Sequence, residues 1–297
     1  MQTRTIGNVT VSAIGLGAMP MSVAGHMPDE DQSIRTIHAA LDAGVTLIDT
    51  ADAYTPTSAE VGHNERLVAK ALDLWGGDRD AVLVATKGGH TRVGDDGWDV
   101  NGSRAYIKAA CERSLKALGV EAIGLYQHHR PDPAVPYEES VEALRELLDE
   151  GKIRMAGISN ADSGQIRLAD DILGGRLAGV QNEYSPRFRT SEPEIDVCEE
   201  LGVAFLPWSP LGGMGAASSL GGEHAAFGRV AADHGVSPQR VCLAWELARS
   251  PVVIPIPGAS RPESVLDSVA AADLTLTEEE LALLSRRDRG LRDAPAR

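Results

Sequence analysis

Eight short apolar runs recur along the chain, each parted from the next by a stretch of helical periodicity, and this alternation limits the fold more than any other feature. The runs occupy residues 14–16, 45–48, 82–85, 123–126, 153–158, 179–181, 203–206 and 252–256. Continuous, rich in β-branched side chains and bounded by loops, they suit parallel strands buried on both faces. Between them Ile34, Ile37, His38 and Leu41 mark one helical face closed by Gly44. Leu115 and Leu118 precede Gly119 in the same way, and Leu144, Leu147 and Leu148 precede Gly151. Ser103 and Ser237 are predicted N-caps, the second followed by Pro238 in the first helical turn. Eight strand–helix units in series, joined by right-handed crossovers, close most simply into an α/β (β/α)8 TIM barrel. A short N-terminal β-hairpin, Thr3–Ile6 and Val9–Ser12 around Gly7-Asn8, is expected ahead of it. An open doubly wound sheet competes, but it would carry GxGxxG after its first strand, and Gly15-Leu16-Gly17-Ala18-Met19 does not continue that way. A barrel would use residues 1–297 as one domain.

Composition narrows the function. A net charge of −15 repels nucleic-acid phosphates. Cys111, Cys198 and Cys242 are odd in number, far apart and without CxxC spacing, so neither a disulfide framework nor a zinc site is expected. No apolar stretch reaches the roughly 18 residues of a membrane span, and Met1 to Thr5 lack the apolar core of a signal peptide. A cytoplasmic location and a small-molecule partner are expected, with oligomeric state left open.

Two segments break the rhythm: residues 88–102 after the third run, containing Trp98, and residues 210–222 after the seventh. Both are read as long functional loops on the side where barrels place their active sites, and residues 291–297 as a frayed tail. Four polar side chains emerge at the ends of neighbouring strands: Asp49, Tyr54 five residues on, Lys87, and His129. Singly, each has an ordinary structural explanation as cap, packing or ion-pair partner. Their joint placement at the carboxyl ends of three strands is where barrel enzymes hold catalytic groups.

The segments DTADAY (49–54), ATKGG (85–89), LYQHHRPDP (125–133), GISN (157–160), QNEYSP (181–186), PWSPLG (207–212) and IPGASRPE (256–263) resemble the aldo-keto reductase family, in the family's order from Gly15 to about Asp267. The resemblance implies NAD(P)H-dependent reduction of an aldehyde or ketone to an alcohol, with Asp49, Tyr54, Lys87 and His129 in the catalytic positions. His129, three residues after Tyr126, is the histidine it selects; His128 faces the other way and is read as structural. Physical chemistry agrees with those roles. A tyrosine, with an ordinary pKa near 10, holds its proton at neutral pH and can give it to the oxygen that becomes negative. An ammonium on Lys87 would stabilise the tyrosinate left behind and lower that pKa; Asp49 would keep Lys87 charged, and His129 could steer the carbonyl.

The same resemblance assigns a cofactor, NADPH in preference to NADH. It puts Ser159, Asn160 and Gln181 on the nicotinamide carboxamide, with Asp49 beside them, and Trp208 on the nicotinamide face. Ser209, Pro210, Leu211, Gly212 and Gly213 match the loop over the pyrophosphate, and Gly17, Ala18 and Met19 a backbone contact near the nicotinamide. A turn containing Gly258, then Ser260 and Arg261 opening a helix, suits the 2′-phosphate, because backbone N–H groups, helix dipole and guanidinium converge there. The chain departs from the family at Ser264, which replaces a longer polar or basic residue, and at Asp267-Ser268, which replace Glu-Asn beside the adenine. The segment after Leu284 is short, so substrate selection is expected to fall to Met21, Trp98 and Arg130 together with Tyr54 and His129. Two other readings fit parts of the pattern: a Schiff-base aldolase using Lys87, and a slow nicotinamide-dependent redox sensor of the kind found among channel-associated members of the family.

Overall fold

The computed structural model describes residues 1–23, 25, 27–94, 97–213 and 215–286. The expectation for residues 291–297 lies outside them. The hairpin comes first, β1 (Thr3–Ile6) paired antiparallel with β2 (Val9–Ser12) as expected. Seven parallel strands follow: β3 (Leu16–Gly17), β4 (Leu47–Asp49), β5 (Leu83–Gly88), β8 (Ile123–His128), β9 (Ile153–Ser159), β10 (Leu177–Gln181) and β11 (Ala204–Phe205). Each pairs with its neighbour in chain order, giving one sheet that curls into a (β/α)8 barrel.

The eighth run differs from expectation. Residues 252–258 close the barrel without forming a ladder strand, touching it through isolated bridges Phe205↔Val253 and Gly17↔Gly258. Pro251, Pro255 and Pro257 explain this, because each lacks the N–H a ladder needs. Their carbonyls still serve: Gly15 and Gly17 donate N–H groups to Pro255 and Pro257 at 2.9 and 3.0 Å. The closure is tight, since a Cβ on Gly17 would lie 2.7 Å from the Ile256 carbonyl oxygen. Only glycine fits there.

Outside run the helices α1 (Glu30–Asp42), α2 (His63–Leu74), α3 (Arg104–Leu118), α4 (Tyr137–Asp149), α5 (Ser163–Leu173) and α6 (Glu192–Leu201). After β11 come α7 (Leu220–Glu223), α8 (Ala225–His234) and α9 (Pro238–Arg249), and the chain continues through α10 (Pro262–Val269) to α11 (Glu278–Leu284). Ser103 and Ser237 cap α3 and α9, accepting the N–H of Tyr106 and Arg240. Residues 210–222 are less open than expected, containing a 3-10 turn at Ala217–Ser219 and the start of α7. Residues 88–102 are not an irregular loop: β6 (His90–Val93) pairs antiparallel with β7 (Gly97–Val100), setting Arg92 opposite Trp98.

Strand alternation divides the core in two. Leu47, Leu83, Ala85, Leu125, Met155, Leu206, Ile254 and Ile256 fill the barrel, and Ile6 and Val11 of the hairpin stopper its amino-terminal end. Outward-facing neighbours such as Ile48, Tyr126 and Val180 pack beneath the helices. On β5 the inward series Leu83, Ala85 therefore arrives next at Lys87, at the carboxyl rim. The three cysteines are buried and unpaired. Among the described residues no helix is long and apolar enough to cross a membrane.

Candidate active site

Lys87 is wholly buried, and its ammonium has three hydrogens to place. It donates them to Asp49 Oδ2 at 2.7 Å, the Thr50 carbonyl at 2.8 Å and Tyr54 Oη at 3.2 Å. Burial would drive the proton off Lys87, but the Asp49 carboxylate and the Tyr54 phenol outweigh that and hold its pKa above the ordinary value. The phenol oxygen accepts from Lys87, so its own hydrogen is left to point elsewhere. Burial pushes the Tyr54 pKa up, and the Lys87 charge pulls it down without cancelling the rise. This corrects the expectation of a lowered phenol pKa: the lysine acts in the expected direction, but desolvation is larger. Asp49 Oδ1 accepts Gln181 Nε2 at 2.8 Å, which ties the tetrad to the sixth strand of the barrel.

His129 stands edge-on to Tyr54 with ring centroids 5.7 Å apart. It is kept neutral, its pKa well below the ordinary value, first by burial and then by the charges of Lys87 and Arg130. A neutral imidazole can donate one hydrogen bond to a developing oxyanion without bringing a second full charge beside Lys87. His128 faces outward, packed near Tyr137, and burial lowers its pKa to about 4. Asp49, Tyr54, Lys87 and His129 are thus brought together, and His128 is apart from them.

His90 was not singled out from sequence, and it continues the cluster. Its ring lies edge-on to His129 at 4.9 Å and stacked on Trp98 at 4.5 Å, with the Arg92 guanidinium 4.3 Å from the Trp98 ring. Burial and the nearby Arg130 and Arg92 charges lower its pKa to about 4. A row of rings therefore runs from Tyr54 to the β6–β7 hairpin, where Trp98 is 39% exposed. The available signal was a histidine two residues after the strand carrying Lys87; without the hairpin pairing nothing aimed it inward. Arg130 is half-buried next to His129. Met21 is 1% exposed and lies in the same apolar cluster as Leu16, Ala18 and Ile34.

The residues expected around a nicotinamide form a second group next to the tetrad. Ser159 Oγ donates to the Gln181 carbonyl at 2.6 Å, and Asn160 Nδ2 donates to Ser159 Oγ and the His129 carbonyl, both at 3.0 Å. Asn160 is left-handed, φ 57°, a conformation asparagine tolerates better than most residues. Trp208 is partly exposed, and its buried Nε1 has no hydrogen-bond partner among the described residues. Ser209 follows at φ 51°, then a turn closed by the Gly212 N–H on the Ser209 carbonyl at 2.9 Å, so Pro210 and Leu211 bridge a tight bend. Gly212 and Gly213 have φ of 89° and 101°, which leaves a backbone that can approach a ligand closely.

Across the mouth, Gly17 ends β3 and Ala18 follows it, donating its N–H to the Asp49 carbonyl at 2.9 Å; Met19 opens a 3-10 turn. Gly258 and Ser260 precede α10, and the Ser260 carbonyl accepts Gln32 Nε2 at 2.8 Å. Arg261 is the exposed residue preceding the first turn of α10, with Ser264 half-buried one turn on. Asp267 is otherwise committed, receiving Arg240 at 2.7 Å and the Ser237 hydroxyl, while Ser268 folds back onto the Ser264 carbonyl at 3.0 Å. The donor set, the orphaned indole N–H and the glycine bend fit a dinucleotide with its nicotinamide at the tetrad. Among the described residues no cluster of three metal-ligating side chains occurs.

Comparison with known proteins gives a consistent result. A model described as the aldo/keto reductase family matches residues 13–288. A probable aldo-keto reductase of Glycine max is 34% identical over 298 residues, covering 91% of this chain and 84% of the relative. The structure of a glycerol dehydrogenase from Gluconobacter oxydans superposes with a TM-score of 0.83 at 29% identity, covering 95% of this chain and 93% of its own. An aldo/keto reductase from Klebsiella pneumoniae, solved with NADP and acetate, superposes with a TM-score of 0.78 at 30% identity over 97% and 98%.

Proposed function

The chain belongs to the aldo/keto reductase family, and on that premise we propose that it is an NADPH-dependent reductase converting aldehyde or ketone carbonyls to alcohols, with Tyr54 as proton donor. The observation that carries this reading is the ammonium of Lys87, whose three hydrogens are spent on Asp49, Thr50 and the phenol oxygen of Tyr54. Bound NADPH would supply hydride to the carbonyl carbon. Tyr54 then transfers its phenolic hydrogen to the carbonyl oxygen, the O–H bond of tyrosine breaking as the O–H bond of the alcohol forms. Lys87, held protonated by Asp49, stabilises the tyrosinate until solvent returns a proton. His129, neutral, orients the carbonyl through a hydrogen bond and needs no proton of its own.

For the cofactor, Gln181, Ser159 and Asn160 would hold the carboxamide, Trp208 would lie against the nicotinamide, and residues 209–213 would cross the pyrophosphate. The choice of NADPH is supported by Ser260 and Arg261 at the start of α10 and by the NADP held in the Klebsiella pneumoniae relative. The same lysine argues against a Schiff-base aldolase, because an ammonium saturated by three acceptors has no lone pair for imine formation. Fast turnover would set aside the redox-sensor reading.

The test is a panel of aldehydes, ketones, sugars and quinones assayed by loss of NADPH absorbance. Tyr54→Phe is expected to lower kcat on the order of 10²–10⁴-fold while NADPH still binds. Undiminished turnover by the variant would remove the acid assignment, and no turnover of any carbonyl would remove the reductase reading.

A further inference from the structure

Two consecutive polar side chains at the start of α2 are wholly buried, Asn64 and Glu65, and neither belongs to the site described so far. Burying an amide and a carboxyl is costly unless they are bonded. Most of their bonds run toward the segments that carry the active site. Asn64 Oδ1 accepts Thr50 Oγ1 at 2.6 Å; its Nδ2 donates to the Ala18 carbonyl at 2.9 Å and to Ser22 Oγ at 2.7 Å. The backbone N–H of Asn64 donates to the Tyr54 carbonyl at 3.2 Å. Glu65 Oε1 accepts Thr86 Oγ1 at 2.6 Å, one residue before Lys87.

Three of these partners are one step from the chemistry. The Thr50 carbonyl holds Lys87 Nζ, Ala18 donates to the Asp49 carbonyl, and Tyr54 is the phenol itself. Asparagine suits the place because one uncharged side chain both accepts from Thr50 and donates to Ala18. We propose that Asn64 is a positioning residue of the hydride-transfer site. It sets Lys87 against Tyr54 through Thr50, and it sets the strand edge along the nicotinamide through Ala18. Glu65 supports the same strands at Thr86. The proposal rests on the reading of the site given above, yet its consequences can be read without turnover.

The experiment compares Asn64→Leu, Thr50→Val and Thr50→Ser by three readouts. These are the ultraviolet difference titration of Tyr54 against a Tyr54→Phe background, NADPH affinity by tryptophan fluorescence quenching, and the urea midpoint. Thr50→Val keeps the shape and the carbonyl but loses the hydroxyl. It should raise the Tyr54 pKa by about half a unit to one unit and lower kcat by a factor of about 3–10, at the 1.36 kcal/mol per unit that links the two. Its NADPH dissociation constant should stay within about twofold, the change belonging to the Lys87 side of the clamp. Thr50→Ser, which restores the hydroxyl, should titrate as the wild type. Asn64→Leu should shift the titration equally and also weaken NADPH by about fivefold or more, the loss of roughly one hydrogen bond's worth of order.

A lowered urea midpoint with an unmoved Tyr54 titration and unmoved NADPH affinity would overturn the proposal, leaving Asn64 a packing residue. Should Asn64→Leu fail to fold, the Thr50 pair alone decides, and equal titrations for valine and serine reject the idea. A wild type that reduces no carbonyl but shows the shifts would refute the reductase reading and keep the clamp.

Discussion

Each ionisable side chain in the site carries a charge state set by which neighbour outweighs burial. Lys87 keeps its proton because an anion and two further acceptors outweigh burial; His129 and His90 lose theirs first through burial, and the neighbouring cations add to it. His128, on the outer side of the same strand end, is neutral because burial outweighs the opposing charge of Asp132. That has a consequence for stability. A histidine whose folded pKa is depressed leaves the unfolded chain binding protons the folded one refuses, so its contribution is complete above an unfolded pKa of about 6.5 and is lost as pH falls toward the folded value. With a folded pKa of about 4, His128 should cost about 2 kcal/mol between pH 7.5 and pH 5. His128→Leu should remove that increment, so the difference in urea midpoint between variant and wild type should favour the variant more at pH 5 than at pH 7.5; an unchanged difference would mean that His128 is protonated in place. At this scale the sequence was informative about identity and less so about state. The spacing of Asp49, Tyr54, Lys87 and His129 announced the tetrad. The net direction of the phenol pKa did not follow from spacing, because it depends on how much water the folded barrel excludes.

Among the elements, the β6–β7 hairpin departs most from what the sequence suggested. Its strands are four residues each, half-buried or exposed throughout, so they lack the apolar alternation by which strands are recognised. The eighth run erred in the opposite direction: apolar and β-branched, it reads as a strand, but Pro255 within it and Pro251 and Pro257 on either side prevent a ladder. What the hairpin adds is a wall beside the tetrad, in which Trp98 stacks on His90 and His90 abuts His129. Substrate contacts are therefore expected to be sensitive to this wall, whereas the residues proposed to hold the nicotinamide come from β9, β10 and the segment after β11. Trp98→Ala and His90→Ala should each reorder the kcat/KM ranking of a carbonyl panel, by about tenfold for bulky carbonyls, the worth of an aromatic contact of about 1 kcal/mol or more. NADPH affinity should change less than the ranking does. If both variants keep the wild-type order, the hairpin takes no part in selection. The pairing of His90 with Val100 that aims this wall is a tertiary fact, and no local signal in residues 88–102 encodes it.

Across the whole molecule, seven parallel strands and the bridged eighth run converge on one mouth, and this barrel order the alternation of apolar runs made readable from the outset. The charge distribution raises a separate question. A chain of net charge −15 is proposed to bind a dinucleotide carrying several negative charges of its own. Long-range attraction cannot help; the overall field opposes association. Affinity must then come from short-range groups that the surrounding acidity screens little: glycine backbone at 212–213, the N-terminal end of α10, and Arg261. Of these only Arg261 brings a full positive charge to the place where a 2′-phosphate would lie, since Ser264 is neutral and Arg240 is paired with Asp267. Losing a charge-assisted hydrogen bond of about 1.5–3 kcal/mol corresponds to roughly 10–100-fold in affinity. Arg261→Ala should therefore raise KM for NADPH by that factor and leave KM for NADH within about twofold. It should also flatten the salt dependence of NADPH binding, because the contact that added ions would screen is gone. Equal losses for the two cofactors would mean that Arg261 acts on the shared pyrophosphate or on α10 itself. The preference for NADPH would then have to arise elsewhere in the mouth.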